Sequence, residues 1–181
     1  MLCGKASEEI IRKEVLNMKK TKKLVLASLL IAVAVVGSTL SFPVLGSKCS
    51  PVQHLVNVIA AVTLGPWYGV VMAFITSVLR VALGLGSLMA FPGSMCGALL
   101  AGVLYWLLPK LWTACAGELF GTAIIGGLLA YPVALLLMGN ESAALFVYIV
   151  PFLISSAGGV VLAMILMTAL LKTGVLTKWM Q

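Results

Sequence analysis

The stretch SKCSPVQHLVNVIAAVTLGPWY, residues 47–68, decides how the chain folds, because it places polar side chains in an otherwise apolar sequence. Pro51 stands where a helix tolerates proline, in its first turn. Gln53 and Asn57 are four residues apart and share one helix face, and His54 lies about 100° round the helix from Gln53. The stretch therefore predicts a short helix with a polar outer end.

The composition indicates an integral membrane protein. Hydrophobic residues make up 62% of the 181 residues and charged residues 9%, whereas about half of a soluble domain is apolar. A bilayer core of about 30 Å needs about 20 apolar residues per helix, which leaves room for about six crossings. The apolar runs are continuous and longer than the ~10-residue alternating strands of an outer-membrane barrel. We expect an all-α membrane protein, a bundle of six transmembrane helices.

Groups that carry out chemistry are few. The four cysteines form no CxxC pair and His54 is the single histidine, so the sequence lacks the ligands of a metal or redox centre. No GxxxxGK(S/T) loop for ATP and no paired carboxylates or nucleophile–base arrangement are present. No basic stretch with interleaved aromatics lies outside the amino-terminal charge run. We therefore expect no enzyme activity, cofactor, metal or nucleic-acid partner.

Hydrophobic runs separated by Gly and Pro predict six spans, at about residues 24–40, 51–64, 67–83, 93–108, 111–138 and 143–171. Lys and Arg gather in short cytoplasmic loops. With the amino terminus inside, Lys48 and Arg80 are the two of the twelve basic residues that lie towards the outside. Six spans then place both termini in the cytoplasm.

Residues 1–17 are polar, and we expect them to be a disordered leader or no part of the translated protein. The codons for residues 13–15 can form a purine-rich run that resembles a bacterial ribosome-binding site before Met18. We hypothesise that translation starts at Met18 and that residues 18–181 form the single transmembrane domain.

The predicted topology brings polar groups from several spans to one level in the outer half. Such groups in a membrane usually face the bundle interior and mark a site, so we expect a small-molecule pocket walled by apolar and aromatic surface. Basic residues near helix ends also extend to lipid headgroups, and a lone histidine is more often an interhelical hydrogen-bonding group. The candidate substrate-binding residues are Lys48, Gln53, His54, Asn57, Arg80, Ser94, Tyr131 and Tyr148.

Glu118 is predicted to lie apart from this pocket, in the fifth span towards its cytoplasmic half. Burying a charged side chain there costs about 2.5–3.5 kcal/mol on insertion scales for Asp, Lys and Arg, so the carboxylate needs a partner or a proton. Thr122, one turn further on, can donate a hydrogen bond to it. The pair is a possible proton site, and a structural contact between helices is the more common role.

Small residues recur at four-residue spacing, which lets helix backbones approach closely. Most are expected in internal packing, and the pair on the first span could face another membrane subunit. The sets are Ser28 and Ala32; Gly93, Gly97 and Ala101; Ser94, Ala98 and Gly102; Gly117 and Gly121; and Ser155, Gly159 and Ala163.

Three blocks of sequence resemble the ThiW family, the thiazole-specific S components of energy-coupling factor (ECF) vitamin transporters. They are KCSPVQHLVNVIAAVTLGPWYGV at residues 48–70, RVALGLGSLMAFPGSMCGALLAGVLY at 80–105 and GELFGTAIIGGLLAYPVALLL at 117–137. The likeness covers nearly everything after Met18, and the PVQH and FPGS blocks are its most specific parts.

The resemblance implies a six-helix S component of the bacterial cytoplasmic membrane that captures hydroxyethylthiazole, a thiamine precursor, from outside. It would dock onto a transmembrane coupling protein and two cytoplasmic ATPases. S components carry a small Ala-xxx-Ala face on the first span for that coupling protein; Ser28 and Ala32 match it, with serine as a departure. External loops at residues 42–50, 84–92 and 139–142 would cap the ligand.

The ligand contacts are assigned from the topology and not from the family. Tyr131 or Tyr148 could stack on the thiazole ring, and the polar groups of the second span could bind its nitrogen and alcohol. The alternative function is a stand-alone proton-coupled secondary carrier for a small vitamin-like molecule, with Glu118 as its proton site.

Overall fold

The computed structural model describes residues 10, 13–44, 47–139 and 145–173. Its helices are α1 (Lys20–Gly37), α2 (Pro51–Thr63), α3 (Pro66–Ala82), α4 (Ala90–Leu107), α5 (Leu111–Leu136) and α6 (Ile149–Thr173). A 3-10 turn, Ser38–Leu40, extends α1, and the middle of α5, Gly121–Gly126, is π-helical. Strands β1 (Phe42–Val44) and β2 (Ser47–Cys49) join α1 to α2 as an antiparallel hairpin.

Four of the described helices, α1, α4, α5 and α6, are long and apolar enough to cross a membrane. Helices α2 and α3 are also apolar, but with 13 and 17 residues they are shorter than the about 20 residues of a full crossing. The described chain is therefore a mainly helical membrane bundle, as the composition predicts, and the short α2 agrees with the short second span.

Most helix bounds lie within a few residues of the predicted spans, and the starts of α1, α4 and α6 differ most. Helix α1 begins at Lys20 and not at 24. Helix α4 begins at Ala90 and not at 93, because Pro92 occupies its first turn, where a helix needs no backbone donor. Helix α6 begins at Ile149 and not at 143, since residues 145–148 form a turn. Of the predicted cap at 139–142, all but Gly139 lies outside the described residues.

The β-hairpin marks one end of the bundle, which we call the hairpin end. The carboxyl end of α3 and the amino ends of α4 and α6 meet there with the hairpin. The Cys49 thiol donates to the Pro151 carbonyl at 3.1 Å, and the Ser50 amide donates to Ser155 Oγ at 2.8 Å. Burial raises the pKa of the Cys49 thiol, which keeps it a protonated donor. The hairpin is thereby fixed to α6.

Glycines set the distance between α4 and α5. A Cβ atom at Gly117 would lie 2.6 Å from the Leu100 carbonyl oxygen, and one at Gly121 would lie 2.6 Å from the Cys96 carbonyl oxygen. The two backbones are thus in contact, which confirms the predicted internal packing of these small residues. Ser28 on α1, by contrast, is exposed, as is Ala32.

The opposite end of the bundle holds an apolar cluster that includes Met18. Residues 13–17 are helical, and Val15 packs against this cluster, whose members include Ala101 and Met167. Residues 1–9, 11 and 12 of the predicted leader lie outside the described part of the chain.

The α4–α5 crossing predicts a large effect for Gly117→Val, because its side chain would push two backbones apart. We expect a loss of about 1–3 kcal/mol in the free energy of unfolding, seen as a fall of several degrees in Tm in detergent. Gly158→Ala is the matched control, since its Cβ would lie 3.4 Å from Pro51 Cγ in ordinary contact. Equal Tm values for the two variants would contradict this packing.

Candidate functional site

A cleft opens at the hairpin end and reaches down between five helices. The space that a water molecule can enter inside it is about 30 Å³, and about 440 Å³ when the open mouth is included. The enclosed part holds about two water molecules, so a larger ligand requires the lining side chains to move. Helices α2 to α6 and the hairpin all contribute, whereas α1 contributes no lining residue. The lining consists of Ser47, Lys48, Ser50, Gln53, His54, Arg80, Ser87, Met89, Ala90, Gly93, Ser94, Thr122, Phe152 and Ser155.

The wall of the cleft is rich in hydroxyl groups, with one aromatic ring. Five serines line it, and Phe152 and Met89 supply its large apolar surfaces. Ser94 has little free hydrogen-bonding capacity, because its hydroxyl donates to the Ala90 carbonyl at 2.7 Å and lies 3.0 Å from Ser77 Oγ. The cleft therefore suits a small molecule with one flat apolar part and several polar atoms.

Beneath the cleft, a buried network is centred on the carboxylate of Glu118, which is 0% exposed. Its Oε1 lies 2.7 Å from His54 Nδ1, 3.0 Å from Asn57 Nδ2 and 3.1 Å from Thr122 Oγ1. Because Oε1 already accepts from the Asn57 amide and the Thr122 hydroxyl, the imidazole is assigned the tautomer that donates from Nδ1. Asn57 Nδ2 also donates to the Ser94 carbonyl at 3.1 Å. One oxygen atom thus joins α2 to α5, and Asn57 extends the network to α4.

The local structure of α4 and α5 makes room for this network. A Cβ atom at Gly97 would lie 2.7 Å from Glu118 Oε1 and would also overlap Thr122 Oγ1. Thr122 lies in the π-helical segment, a feature that often occurs at functional sites. The absence of a side chain at Gly97 is therefore what lets both groups lie against α4.

Two basic side chains lie above the network. Arg80 is 3% exposed and donates from Nη1 to Gln53 Oε1. Lys48 is exposed and its Nζ donates to the Gly84 carbonyl at 3.1 Å. Gly84 has φ of +72°, a backbone conformation that favours glycine. The hairpin and the α3–α4 turn are thereby held together at the mouth of the cleft.

Four buried polar atoms around the cleft have no hydrogen-bond partner among the described residues. They are Ser50 Oγ, Gln53 Nε2, Arg80 Nε and Glu118 Oε2. Leaving such an atom unpaired costs about 1–3 kcal/mol. The first three belong to lining residues, so they are available to a bound molecule. No group of three or more possible metal ligands occurs among the described residues.

The structure places most of the predicted site residues either in the lining of the cleft or directly beneath it. The cleft is lined by Lys48, Gln53, His54, Arg80, Ser94 and Thr122, while Asn57 and Glu118 lie directly beneath it. Glu118 is thus bonded to the predicted pocket residues and does not form a separate site. The predicted contact between Glu118 and Thr122 is present.

The two predicted stacking residues are not among the lining residues. Tyr148 is buried behind the wall in a cluster that contains Met89 and Phe152, and Tyr131 is partly buried on α5. The sequence analysis did not identify Phe152 as a lining residue. The feature that could have indicated it is its position one turn before Ser155, a polar residue in an otherwise apolar span.

Comparisons with known proteins agree on the class of protein. A family model described as thiamine-precursor transporter protein (ThiW) matches residues 24–173. Among solved structures, the chain resembles one described as the S component of a bacterial ECF transporter. That match has a TM-score of 0.72 and 21% identity, and it covers 86% of this chain and 98% of the other. At this identity the likeness shows the fold. A search of curated proteins finds no significant match.

The His54–Glu118 contact predicts energetic coupling in a double-mutant cycle. For His54→Ala and Glu118→Ala, singly and together, we expect an interaction energy of about 0.5–3 kcal/mol, measured by unfolding in detergent. The control cycle pairs His54→Ala with Thr113→Ala, since Thr113 Oγ1 bonds the Leu108 and Lys110 carbonyls and shares no partner with His54. Additive behaviour in both cycles would show that the buried pair contributes nothing.

Proposed function

The chain belongs to the ThiW family of thiamine-precursor transporter proteins, and on that premise we propose that it is the substrate-binding S component of an ATP-driven ECF importer. Its ligand is hydroxyethylthiazole, captured from the extracellular side. The observation that carries the proposal is the polar cleft at the hairpin end, above a buried hydrogen-bond network. No covalent chemistry on the ligand is involved.

The fold supports the S-component part of the proposal. The match to the S-component structure extends over almost all of that protein, so a bundle of the same type is the natural interpretation of this chain. We infer six crossings, with α2 and α3 as the two short ones. Short helices can complete a crossing where flanking turns and neighbouring helices extend them.

The charges support a cleft that opens outside. Among the described residues, the basic side chains at the hairpin end are Lys48 and Arg80. The opposite end carries the remaining ones: Lys13, Lys19, Lys20, Lys22, Lys23, Lys110 and Lys172. Because short cytoplasmic loops collect basic residues, the hairpin end faces the exterior, and both termini lie in the cytoplasm of a bacterium.

The side chains that line the cleft fit a small heteroaromatic alcohol. The thiazole ring packs against Phe152, for which offset or edge-on contact is favourable. Gln53 Nε2, with no partner among the described residues, donates to the alcohol or the ring nitrogen. The serine hydroxyls supply further donors and acceptors. Phe152 takes the role that the sequence suggested for Tyr131 or Tyr148.

The exposed face of α1 is the candidate contact with the coupling protein. Ser28 and Ala32 lie on it, flanked by exposed Leu24, Leu29 and Val36. Small residues allow a partner helix to approach closely. The coupling protein and its two ATPases then reorient this chain and open the cleft inward, since the sequence holds no nucleotide-binding loop of its own.

One observation favours the second candidate, a stand-alone proton-coupled carrier. Glu118 and His54 form a buried carboxylate–imidazole pair, and chains of such groups serve as proton relays in membrane carriers. That function requires transport by this chain alone.

Ligand binding to the purified protein tests the cleft. Phe152→Ala is expected to weaken hydroxyethylthiazole binding by about tenfold, because stacking and apolar contact with an aromatic ring are worth about 1–2 kcal/mol. Tyr131→Ala is the matched control, an aromatic removed outside the lining, with unchanged affinity expected. Calorimetric titration measures both. If Tyr131→Ala weakens binding and Phe152→Ala does not, the ligand lies elsewhere.

The energy source distinguishes the two candidate functions. We expect uptake of labelled thiazole in proteoliposomes that contain this chain with an ECF module and ATP, and none with this chain alone under an imposed proton gradient. Glu118→Gln is then expected to lower stability and to leave ATP-driven uptake as insensitive to the proton gradient as that of the unsubstituted chain, since uptake is not coupled to protons. Gradient-driven uptake by the chain alone would support the carrier.

A further inference from the structure

We propose that the cleft contains an oxyanion subsite formed by Arg80 and Lys48, so that a thiazole with an anionic side arm binds more tightly than the neutral alcohol. The phosphate monoester of hydroxyethylthiazole is the simplest such ligand. The inference rests on the proposed function, since it adds a charge preference to the same site.

The first observation is a buried guanidinium without an acidic partner among the described residues. Arg80 is 3% exposed, and its one hydrogen bond given by the structure is to the neutral oxygen of Gln53. Arginine does not lose its proton in proteins, and a buried charge is normally paired. Its position in the last turn of α3 supplies about half an opposite charge from the helix dipole. The remaining charge favours an anion in the cleft.

The second observation is the positive charge of the residues that line the cleft. Its two formally charged lining residues, Arg80 and Lys48, are both basic. The other titratable group that lines it, His54, donates to Glu118, whose carboxylate already accepts three hydrogen bonds below the cleft. Of the five glutamates in the chain, Glu8, Glu9 and Glu141 lie outside the described residues. Glu141 is the one nearest in sequence to α6, which lines the cleft, so the test below includes it.

The third observation is unused hydrogen-bonding capacity next to these charges. Arg80 Nε and Ser50 Oγ are buried, line the cleft and have no partner among the described residues. A guanidinium presents donors in a planar fork that matches phosphate or carboxylate oxygens. Lys48 adds a movable charge at the mouth, where its acceptor is a backbone carbonyl that an anionic oxygen can replace.

A structural role for Arg80 is the competing interpretation, because it also holds Gln53. Extension to lipid headgroups explains Lys48 alone, since Lys48 is exposed and Arg80 is not. A purely structural arginine would affect the alcohol and its phosphate ester equally when replaced. An oxyanion subsite changes the ratio of the two affinities, so that ratio is the diagnostic quantity.

The test is calorimetric titration of the purified full-length chain with hydroxyethylthiazole, its phosphate monoester and inorganic phosphate. We expect the ester to bind at least tenfold more tightly than the alcohol, because a guanidinium forms charge-assisted hydrogen bonds with phosphate oxygens. Arg80→Gln and Lys48→Gln are expected to reduce this ratio towards one. Lys110→Gln, at the opposite end, is the control and leaves it unchanged. Lys48→Gln keeps the test valid if Arg80→Gln fails to fold.

The outcomes separate the inference from the proposed function. If the alcohol binds as tightly as the ester, the subsite is refuted and the thiazole function stands. If neither thiazole binds, the proposed function fails. A preference for the ester that survives both substitutions also refutes the subsite, because Arg80 and Lys48 then do not cause it. A preference that appears only in Glu141→Gln refutes it too, because Glu141 is then already the counter-ion of Arg80.

Discussion

The structure depends on one buried carboxylate, Glu118, which lies within an apolar bundle and has no exposed surface. Burial of an unpaired carboxylate costs several kcal/mol, and here three donors from His54, Asn57 and Thr122 offset that cost. Those donors come from α2 and α5, and Asn57 also bonds a carbonyl of α4. The carboxylate therefore fixes the rotation of α2 relative to α5, and Asn57 extends that constraint to α4.

The same network forms the floor of the cleft. His54 and Thr122 each have one side in the network and one side in the lining, so the rigid hydrogen bonds below hold the polar groups above in place. Such support from a second layer of contacts preorganises a binding site. The hairpin, fixed to α6 through Cys49 and Ser50, completes the mouth on the other side.

The sequence predicts the helical membrane fold well, because span length and apolar content follow directly from the thickness of a bilayer. It also predicts that Gln53, His54 and Arg80 share a pocket, because basic-residue bias puts their helix ends on one side. It does not predict the His54–Glu118 contact, which joins residues 64 apart in sequence. The depth of a residue along its span does not show towards which neighbouring helix its side chain is turned. Phe152 and the hairpin were missed for related reasons: an apolar run does not show which ring faces the interior, and three-residue strands are too short for a pattern.

The most direct test of a ligand cleft that faces the exterior is protection of a cysteine at Ser87, in a chain with Cys3 and Cys96 replaced by serine; Cys49 and Cys115 are buried. Intact cells are treated with a membrane-impermeant maleimide, with and without thiazole. The account predicts that Ser87→Cys is labelled from outside and that the ligand slows labelling, whereas Lys110→Cys reacts after permeabilisation. Labelling of Ser87→Cys that requires permeabilisation, or that the ligand leaves unchanged, would contradict it.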